Sequence, residues 1–334
     1  MSEPTTDTIE PWLAVIDAAT MRGLEIGPLD KPRFTKPRYR VQYVDHASLD
    51  ELRTKYAEDA AMRDHLDDIV DVDFVWSGES ALNDVIGDEP PFDFVFASHV
   101  VEHAPDMIGW LREISAVLTD GGLLCLAIPD KRLCFDVNRP LTEIGDLIDA
   151  HLRSLRAPSY RQIWDFHSKI VDVDAAALWA GTADYSGTWR TDLDPDHWAY
   201  ELCLKHRQTG EYIDGHCQVF TPRSFLAVYA KLIKLDLIDY RIAAFHPSAR
   251  GTIEFRVVLE KLSPSLSADE RRAAQLASIL AFDDTVPPPS ALASSEPERV
   301  AMPFVVTARE EALVRRKRRI IEAARGLVPS RRRP

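Results

Sequence analysis

The pattern of apolar and polar residues predicts two buried strands joined by a helix in the middle of the chain. FDFVFAS (92–98) and LLCLAIP (123–129) are short continuous apolar runs bounded by proline and glycine, which is typical of buried strands. Between them, apolar residues recur at a helical spacing from about Pro105 to Leu118, and Gly121-Gly122 ends the unit. Strand, helix and strand in this order predict parallel strands with a right-handed crossover, and hence a doubly wound α/β sheet.

The same pattern predicts further elements on both sides of this unit. Earlier strands are expected at 24–26, 41–45 and 69–76, with a helix at 9–19 and another after the second strand. After the unit, a largely helical insertion is followed by a helix that begins with Thr221 as N-cap and Pro222 in its first turn. Two antiparallel strands at the sheet edge, near 237–245 and 252–262, complete the sheet. The predicted fold is therefore a Rossmann-like sheet with an insertion after the fifth strand.

Charge is distributed unevenly along the 334 residues, whose formal net charge is −13. Residues 315–334 contain nine Lys/Arg and one Glu, a net of +8, which leaves −21 on the rest of the chain. An acidic body repels phosphates, so nucleic acid is not expected as a partner. The basic C-terminal helix is predicted to contact an anionic membrane surface or a partner protein, or to dock on the acidic body of its own chain.

Several features indicate a cytoplasmic protein. The N-terminus MSEPTTDTIEPW is acidic and has no apolar stretch, so it does not resemble a secretory signal, and no run approaches a membrane span. The four cysteines have no CxxC spacing, which favours reduced thiols over a disulfide framework or a zinc ribbon.

Gly27 follows the first predicted strand, and Asp45 ends the second. In nucleotide-binding sheets the first turn admits the ligand, and an acid at this position accepts hydrogen bonds from ribose hydroxyls. An ordinary turn and a solvated acid are the alternative, because this pair alone is a weak signal. A nicotinamide dehydrogenase would require G-x-G-x-x-G, whereas this chain has G-P-L-D-K-P.

The segment His99-Val-Val-Glu102-His103 has the H-x-x-E-H spacing of an inverted zinc-protease motif. That chemistry needs both histidines on one face of a helix, whereas a strand precedes His99 and Pro105 follows closely. No metal site is therefore predicted. His99 is a candidate base or a wall of the pocket, and His103 is expected to fix the turn.

A family resemblance rests on several segments taken together: LEIGPLDKP, VQYVDHASLDELRTKY, DFVWSGES, FDFVFASHVVEHAPDMIGWLREISAVLTDGG and LAIPDKRLCFDVNRPLT. They resemble class I S-adenosylmethionine-dependent methyltransferases, and more closely a bacterial subgroup found with glycosyltransferases in polysaccharide synthesis. The resemblance covers about Gly23 to Leu155, and again His216 to Phe225. One departure is the proline-rich PLDKPRFTKP after Gly27, where the family at large has a glycine-rich loop and a helix.

The resemblance implies roles for individual residues. Glu25, Gly27 and Pro28 would form the first motif, beside the methionine moiety of S-adenosylmethionine, and Asp45 and His46 would lie at its ribose. The adenine would lie at Gly78, Glu79 and Ser80. The reactive methyl would lie at Ser98 and His99. Methylation of a hydroxyl needs a base or a metal to take the proton. His99, Asp130 and His216 are the candidate bases, and no tight cluster of metal ligands is evident in the sequence.

The predicted function is methyl transfer from S-adenosylmethionine to an oxygen of a glycan or glycolipid precursor, in the cytoplasm or at the inner face of the membrane. The alternative is a non-catalytic module that serves a glycosyltransferase system as a partner or membrane-binding subunit. Four parts are expected along the chain: 1–130, the cofactor-binding half; 131–215, the insertion, as a substrate cap; 216–262, the last helix and strands of the core; and 263–334, a helix, a Pro/Ser/Ala-rich linker and the basic helix.

Overall fold

A computed structural model of the protein describes residues 15–59, 62–185 and 193–282. The expected helix at 9–19 falls partly outside these ranges, and its described end, 15–19, consists of turns and irregular backbone. The Pro/Ser/Ala-rich linker and the basic C-terminal helix lie outside the described residues.

A single sheet of seven strands forms the centre of the described chain. The strands are β1 (Gly23–Ile26), β2 (Val41–Asp45), β3 (Phe74–Val75), β4 (Phe92–Ser98), β5 (Leu118–Pro129), β6 (Tyr240–His246) and β7 (Glu254–Lys261). Their order is β3-β2-β1-β4-β5-β7-β6; β7 runs antiparallel to both β5 and β6, and the other neighbours are parallel. The predicted doubly wound sheet with an antiparallel edge pair is confirmed.

Helices cover the sheet and build the insertion. They are α1 (Leu49–Tyr56), α2 (Leu82–Ile86), α3 (Met107–Val117), α4 (Ile144–Leu152), α5 (Tyr160–Lys169), α6 (Ala175–Ala180), α7 (Pro195–Thr209), α8 (Pro222–Lys234) and α9 (Ala268–Phe282). In α7 the first turn is set by the Asp194 side chain, which accepts from the His197 N–H. The prediction for α8 is confirmed, with Thr221 as N-cap and Pro222 in the first turn.

The central strands are buried on both faces, which explains their continuous apolar sequences. Val95 and Ala97 of β4 point into the larger core, formed mainly with α3 and α8. Phe94 and Phe96 point to the opposite face, where the ring of Phe34 packs against both of theirs. The proline-rich segment after β1 therefore covers part of the sheet that a helix covers in an ordinary doubly wound fold.

The third strand is much shorter than the predicted 69–76. The backbone N–H of Tyr43 donates to the Asp73 side chain at 2.6 Å, and the Asp73 N–H donates to the Tyr43 carbonyl at 2.8 Å. A side chain thus occupies the place of a strand carbonyl, and regular pairing begins only at Phe74. Sequence alternation could not detect this substitution.

The turns on both sides of α3 also differ from the prediction. Asp106 is the N-cap, with its Oδ1 accepting from the Gly109 N–H at 2.8 Å, so Pro105 lies before the helix instead of in its first turn. At the other end, β5 begins directly at Leu118 and contains Gly121-Gly122. The pairing of β4 with β5 is irregular between Phe92 and Phe94, so the two glycines lie within the strand and do not end the unit.

Candidate active site

The carboxyl ends of β1, β2 and β4 meet at one edge of the sheet. Ile26 of β1 is paired with Val44 on one side and with Ala97 on the other, which brings the next residues of each strand to the same edge. Gly27 has φ +65°, and its N–H donates to the Val44 carbonyl at 2.9 Å. A Cβ at this exposed position would lie 3.2 Å from the Val100 side chain, so glycine suits both the backbone conformation and the space.

Asp45 is placed at this edge with one carboxylate oxygen free. Its side chain is 6% exposed, and Oδ1 accepts from the His46 N–H at 2.7 Å and lies 2.6 Å from His46 Nδ1. His46 Nε2 in turn lies 2.9 Å from Lys55 Nζ. Oδ2 has no hydrogen-bond partner among the described residues. A buried acid whose Oδ2 has no partner among the described residues fits a ribose hydroxyl.

Glu25 is turned away from the open edge. It is buried, and its two oxygens accept from the backbone N–H groups of Arg33 at 2.7 Å and Phe34 at 3.0 Å. Burial raises the pKa of this carboxyl to about 7, against the lowering effect of these two hydrogen bonds. Glu25 therefore holds the proline-rich segment in place, and its oxygens are not free for the methionine moiety that the resemblance assigned to it.

The remaining residues of the predicted cofactor site lie on the turns that follow β1, β3 and β4. Pro28 is buried directly after Gly27. Gly78 has φ +84°, and the nearby Ser80 carbonyl accepts from Trp76 Nε1 at 3.0 Å. Glu79 is exposed on the same turn. Since Val75 is paired with Asp45, this turn lies at the same edge of the sheet as Asp45. The assignment to adenine stays a prediction.

The polar groups at this edge fit S-adenosylmethionine in their chemistry. Gly27 leaves its backbone accessible where the strand order reverses between β1 and β4, the place at which open α/β sheets bind ligands. Asp45 and the turn of Gly78 to Ser80 would hold the ribose and adenine, and the polar Ser98 faces the same edge. When bound, the cofactor supplies a methyl group on a sulfonium.

Asp130, a predicted base, is not available for proton transfer in this conformation. It is fully buried, and its carboxylate is bonded to the Arg132 guanidinium at 2.9 and 2.6 Å and to the Ser248 hydroxyl at 2.8 Å. The carboxylate also accepts from the Arg132 N–H. Asp130 therefore fixes the turn after β5, which is a correction to its predicted role.

His99 stands at the end of β4 in an unusual backbone conformation. Its φ of +56° lies in the left-handed region, where residues other than glycine are uncommon and often functional. Nε2 lies 2.9 Å from Glu254 Oε2, and Nδ1 lies 3.6 Å from Glu102 Oε1. Burial lowers the pKa of His99, but the hydrogen bond to Glu254 and the charge of Glu102 outweigh it, so the pKa is raised.

His216 is buried beside the same turn, although it comes from a distant part of the chain. Its Nδ1 lies 2.6 Å from Asp136 Oδ2, and its carbonyl accepts from the Arg139 guanidinium at 2.8 Å. Burial would raise the pKa of Asp136, but the bond to His216 and the charges of His216 and Arg139 lower it. His216 is thus oriented by a carboxylate, with Nε2 left to face the turn after β4.

A cluster of ionisable groups therefore forms where the turn after β4 meets the segment before α8. Glu102, His103 and His216 each offer one atom, and these three atoms lie within 4.8 Å of one another. His103 and His216 also pack edge to face at 4.8 Å between ring centroids. The sequence motif contains Glu102 and His103, but no signal in the sequence connects them with Asp136, Asp214 or Glu254, which only the fold brings near.

The H-x-x-E-H segment does not form an inverted zinc-protease motif. Val101–His103 is a short 3₁₀ turn, so His99 and His103 do not stand on one face of an α-helix. His99 bonds Glu254, and His103 Nδ1 bonds Asp214 at 2.9 Å.

A cavity of about 410 Å³ opens in the insertion, and neither Gly27 nor Asp45 lines it. Among the residues that line it are Thr142, Asp146, Tyr160, Gln162 and Asp165. Arg139 reaches both this cavity and the carbonyl of His216, so the cavity adjoins the ionisable cluster. Its hydroxyl, amide and carboxylate groups can bond a polyhydroxylated ligand.

Among the described residues, no helix has the length and apolar character that spanning a bilayer requires.

The sequence of residues 9–167 matches a family model described as a methyltransferase domain. No curated protein has a significant sequence match to this chain.

Solved structures align with the chain at low identity. A carbon methyltransferase named CurJ aligns with 76% of this chain at 12% identity and a TM-score of 0.36. A protein described as an S-adenosylmethionine-dependent methyltransferase from Listeria monocytogenes aligns with 76% of this chain and 97% of its own, at 10% identity and a TM-score of 0.36. A protein described as a zinc-dependent alcohol dehydrogenase from Rhodobacter sphaeroides aligns with 79% of this chain and 92% of its own, at 13% identity and a TM-score of 0.40.

The chain spans 52% of the length of CurJ and between 44% and 59% of four further solved methyltransferases or methyltransferase-like proteins. All of these TM-scores are below 0.5, so the fold assignment stands on the strand order of the chain itself.

Proposed function

We propose that residues 9–167, which match a family model described as a methyltransferase domain, bind S-adenosylmethionine, and that the protein uses it to methylate an oxygen of a glycan or glycolipid precursor. The observation that carries the proposal is the shared edge of the sheet. Gly27 and Asp45 lie at this edge with His99 and the ionisable cluster, which supports a cofactor site that adjoins proton-accepting groups.

A polyhydroxylated acceptor is supported by the insertion. Its cavity presents carboxylates, an amide and a tyrosine, and it adjoins the cluster through Arg139. We propose that residues 131–215 act as a cap that places one acceptor hydroxyl at the end of β4. Transfer by in-line displacement depends chiefly on such positioning.

We assign the role of general base to His99. Asp130 is fully buried in an ion pair, and His216 is held within the cluster, whereas the His99 side chain is about one third exposed. The Glu254 carboxylate bonds His99 Nε2 and stabilises the imidazolium that forms when His99 takes the proton. Because the pKa of His99 is raised above 6.5, the transfer rate should increase with pH through a value above 6.5.

The test uses full-length protein with methyl-labelled S-adenosylmethionine. Lipid-linked glycans and nucleotide sugars extracted from the host cells are incubated with the protein, and mass spectrometry locates the label. We expect label on a sugar oxygen. His99→Asn, which tolerates the left-handed backbone, should lower the rate by ~10²–10⁴-fold and abolish its increase with pH. The exposed His197→Gln is the matched control and should keep the wild-type rate and profile.

Three outcomes contradict parts of the proposal. Label found only on proteins or non-sugar metabolites overturns the glycan acceptor. Absence of S-adenosylmethionine binding in calorimetry at millimolar concentration favours the non-catalytic module, whereas micromolar binding supports the enzyme. A wild-type pH profile in His99→Asn overturns the assignment of the base.

A further inference from the structure

We propose that Glu102, His103 and His216 bind a divalent transition-metal ion. Their ligand atoms lie within 4.8 Å of one another, and all three residues are fixed at the carboxyl edge of the sheet. Two imidazoles and one carboxylate form a common ligand set for Zn²⁺ and Fe²⁺. The chain spacing alone does not indicate this site, because His216 follows His103 by more than a hundred residues.

The first argument is the state of Glu102. Its side chain is 1% exposed, and neither of its oxygens has a hydrogen-bond partner among the described residues. The nearest imidazole nitrogens, His99 Nδ1 and His216 Nε2, lie 3.6 and 3.9 Å from Oε1, beyond hydrogen-bond distance. A buried carboxylate without hydrogen bonds is costly, and a cation bound by Glu102 together with the imidazoles of His103 and His216 would remove that cost.

The second argument is the orientation of the two histidines. Nδ1 of His216 lies 2.6 Å from Asp136 Oδ2, and Nδ1 of His103 lies 2.9 Å from Asp214 Oδ1. A carboxylate on Nδ1 places the proton there and leaves the lone pair of Nε2 free. Metal-binding histidines in proteins are oriented by the same device.

The third argument is that the backbone already holds the ligands together. The Glu102 carbonyl accepts from the N–H groups of Cys217 at 2.6 Å and Gln218 at 3.0 Å, and the Tyr212 hydroxyl donates to the His103 carbonyl at 3.0 Å. These bonds tie the turn after β4 to the segment that carries His216. Metal–nitrogen and metal–oxygen bonds of about 2.0–2.2 Å then require only side-chain shifts of the order of 1 Å.

The site has an open side, because the His103 side chain is 32% exposed while Glu102 and His216 are buried. Three protein ligands with an open position are typical of catalytic metal sites. On the proposed function, on which this point alone rests, an acceptor hydroxyl could occupy the open position, and the ion would lower its pKa beside His99.

Calorimetry with Zn²⁺ on chelator-treated, full-length protein tests the proposal without cofactor or acceptor. We expect one site with a Kd below about 1 µM, and at least ~100-fold weaker binding in His103→Ala and in His216→Ala. Asp136→Asn should weaken binding by ~10–100-fold by releasing the orientation of His216. His197→Ala, at an exposed histidine outside the cluster, should bind as the wild type does.

Glu102→Gln keeps the volume of the side chain and guards against misfolded variants. It should retain the wild-type circular dichroism spectrum, bind Zn²⁺ ~100-fold more weakly, and lose the increase in melting temperature that Zn²⁺ gives the wild type. Co²⁺ should give visible d–d bands in the wild type and not in Glu102→Gln.

Wild-type binding weaker than about 100 µM, or equal affinity in the wild type and in folded Glu102→Gln, overturns the metal site. Either result leaves the methyl-transfer proposal intact, because that proposal is measured through the label on the acceptor.

Discussion

Two acids at the ends of neighbouring strands show how the environment decides the role of a side chain. Glu25 and Asp45 both follow buried apolar residues, and both look like cofactor ligands in the sequence. Both oxygens of Glu25 accept hydrogen bonds from the backbone of Arg33 and Phe34, whereas Asp45 has one oxygen without a partner among the described residues. The first therefore shapes the proline-rich segment, and only the second suits a ligand.

Asp45→Ala should weaken binding of S-adenosylmethionine by about 1.5–3 kcal/mol, which corresponds to ~10–150-fold in Kd, because hydrogen bonds to a charged acceptor are lost. Calorimetry on the folded variant measures the change. Asp88→Ala, at an exposed acid far along the chain from the edge, is the control and should bind normally. Wild-type affinity in Asp45→Ala would show that β2 does not hold the ribose.

Glu25 should make folding stability fall as pH rises. Its pKa of about 7 in the folded state exceeds the ordinary 4.5, so the folded state binds the proton more tightly than the unfolded state. This stabilisation is complete below pH 4.5 and is lost as the pH rises through 7. The 2.5-unit difference corresponds to about 3 kcal/mol at 1.36 kcal/mol per unit. Urea unfolding from pH 4.5 to 8 should show this decline in the wild type.

Glu25→Gln cannot titrate, so its unfolding free energy should decline less over the same pH range, whatever its absolute stability. If the unfolding free energies of the two proteins changed with pH in parallel, Glu25 would be ionised throughout this range. Its two hydrogen bonds from backbone N–H groups favour that ionised form.

At the scale of elements, α3 depends on one residue at its start. Asp106 accepts from the Gly109 N–H, and its carboxylate also lies 3.0 Å from Nδ1 of His151, near the end of α4. A Cβ on Gly109 would lie 2.4 Å from Asp106 Oδ2, so a larger residue there would have to displace the Asp106 carboxylate. Asp106 thus both begins α3 and joins it to the first helix of the insertion.

Asp106→Ala should lower the free energy of unfolding by about 1–2 kcal/mol, because an N-cap and a bond between two helices are lost together. Asp106→Asn keeps a capping oxygen and should lose less than about 0.5 kcal/mol. Denaturant titrations of the two variants measure the difference. Equal losses of unfolding free energy in the two variants would mean that Asp106 stabilises the protein through its contact with His151 and not through the cap.

At the scale of the whole molecule, charge separates the chain into an acidic body of −21 and a basic end of +8. The basic end lies outside the described residues, and its role stays a prediction from sequence. Two surfaces compete for it, an anionic membrane and the acidic body of its own chain. Attraction to anionic lipid is worth up to ~1 kcal/mol per basic residue near the surface and fades over a Debye length of about 10 Å at 0.1 M salt.

Full-length protein should therefore sediment with anionic vesicles at low salt, and a version ending at Glu311 should not. The difference should disappear at high salt and with neutral vesicles, which serve as the control. Equal sedimentation of the two versions on anionic vesicles would favour docking on the acidic body or on a partner protein.

The sequence by itself determined the sheet, because burial of a strand on both faces requires a continuous apolar run and a crossover helix has its own period. FDFVFAS became β4 without change, and α8 began at its predicted cap. The same local logic placed Gly27, Asp45 and His99 at strand ends, since carboxyl ends of parallel strands share an edge.

Only the tertiary structure decided what those ends contact. Asp130 forms an ion pair with Arg132, and Glu25 accepts a hydrogen bond from the loop that follows β1. Glu102 lies beside His216, which is separated from it in the chain by the whole insertion. Asp73 shortened β3 by replacing a backbone carbonyl with its own side chain. Hydrophobic periodicity records which side of an element is buried, but the partners of a buried polar group come from distant segments, and no local pattern encodes them.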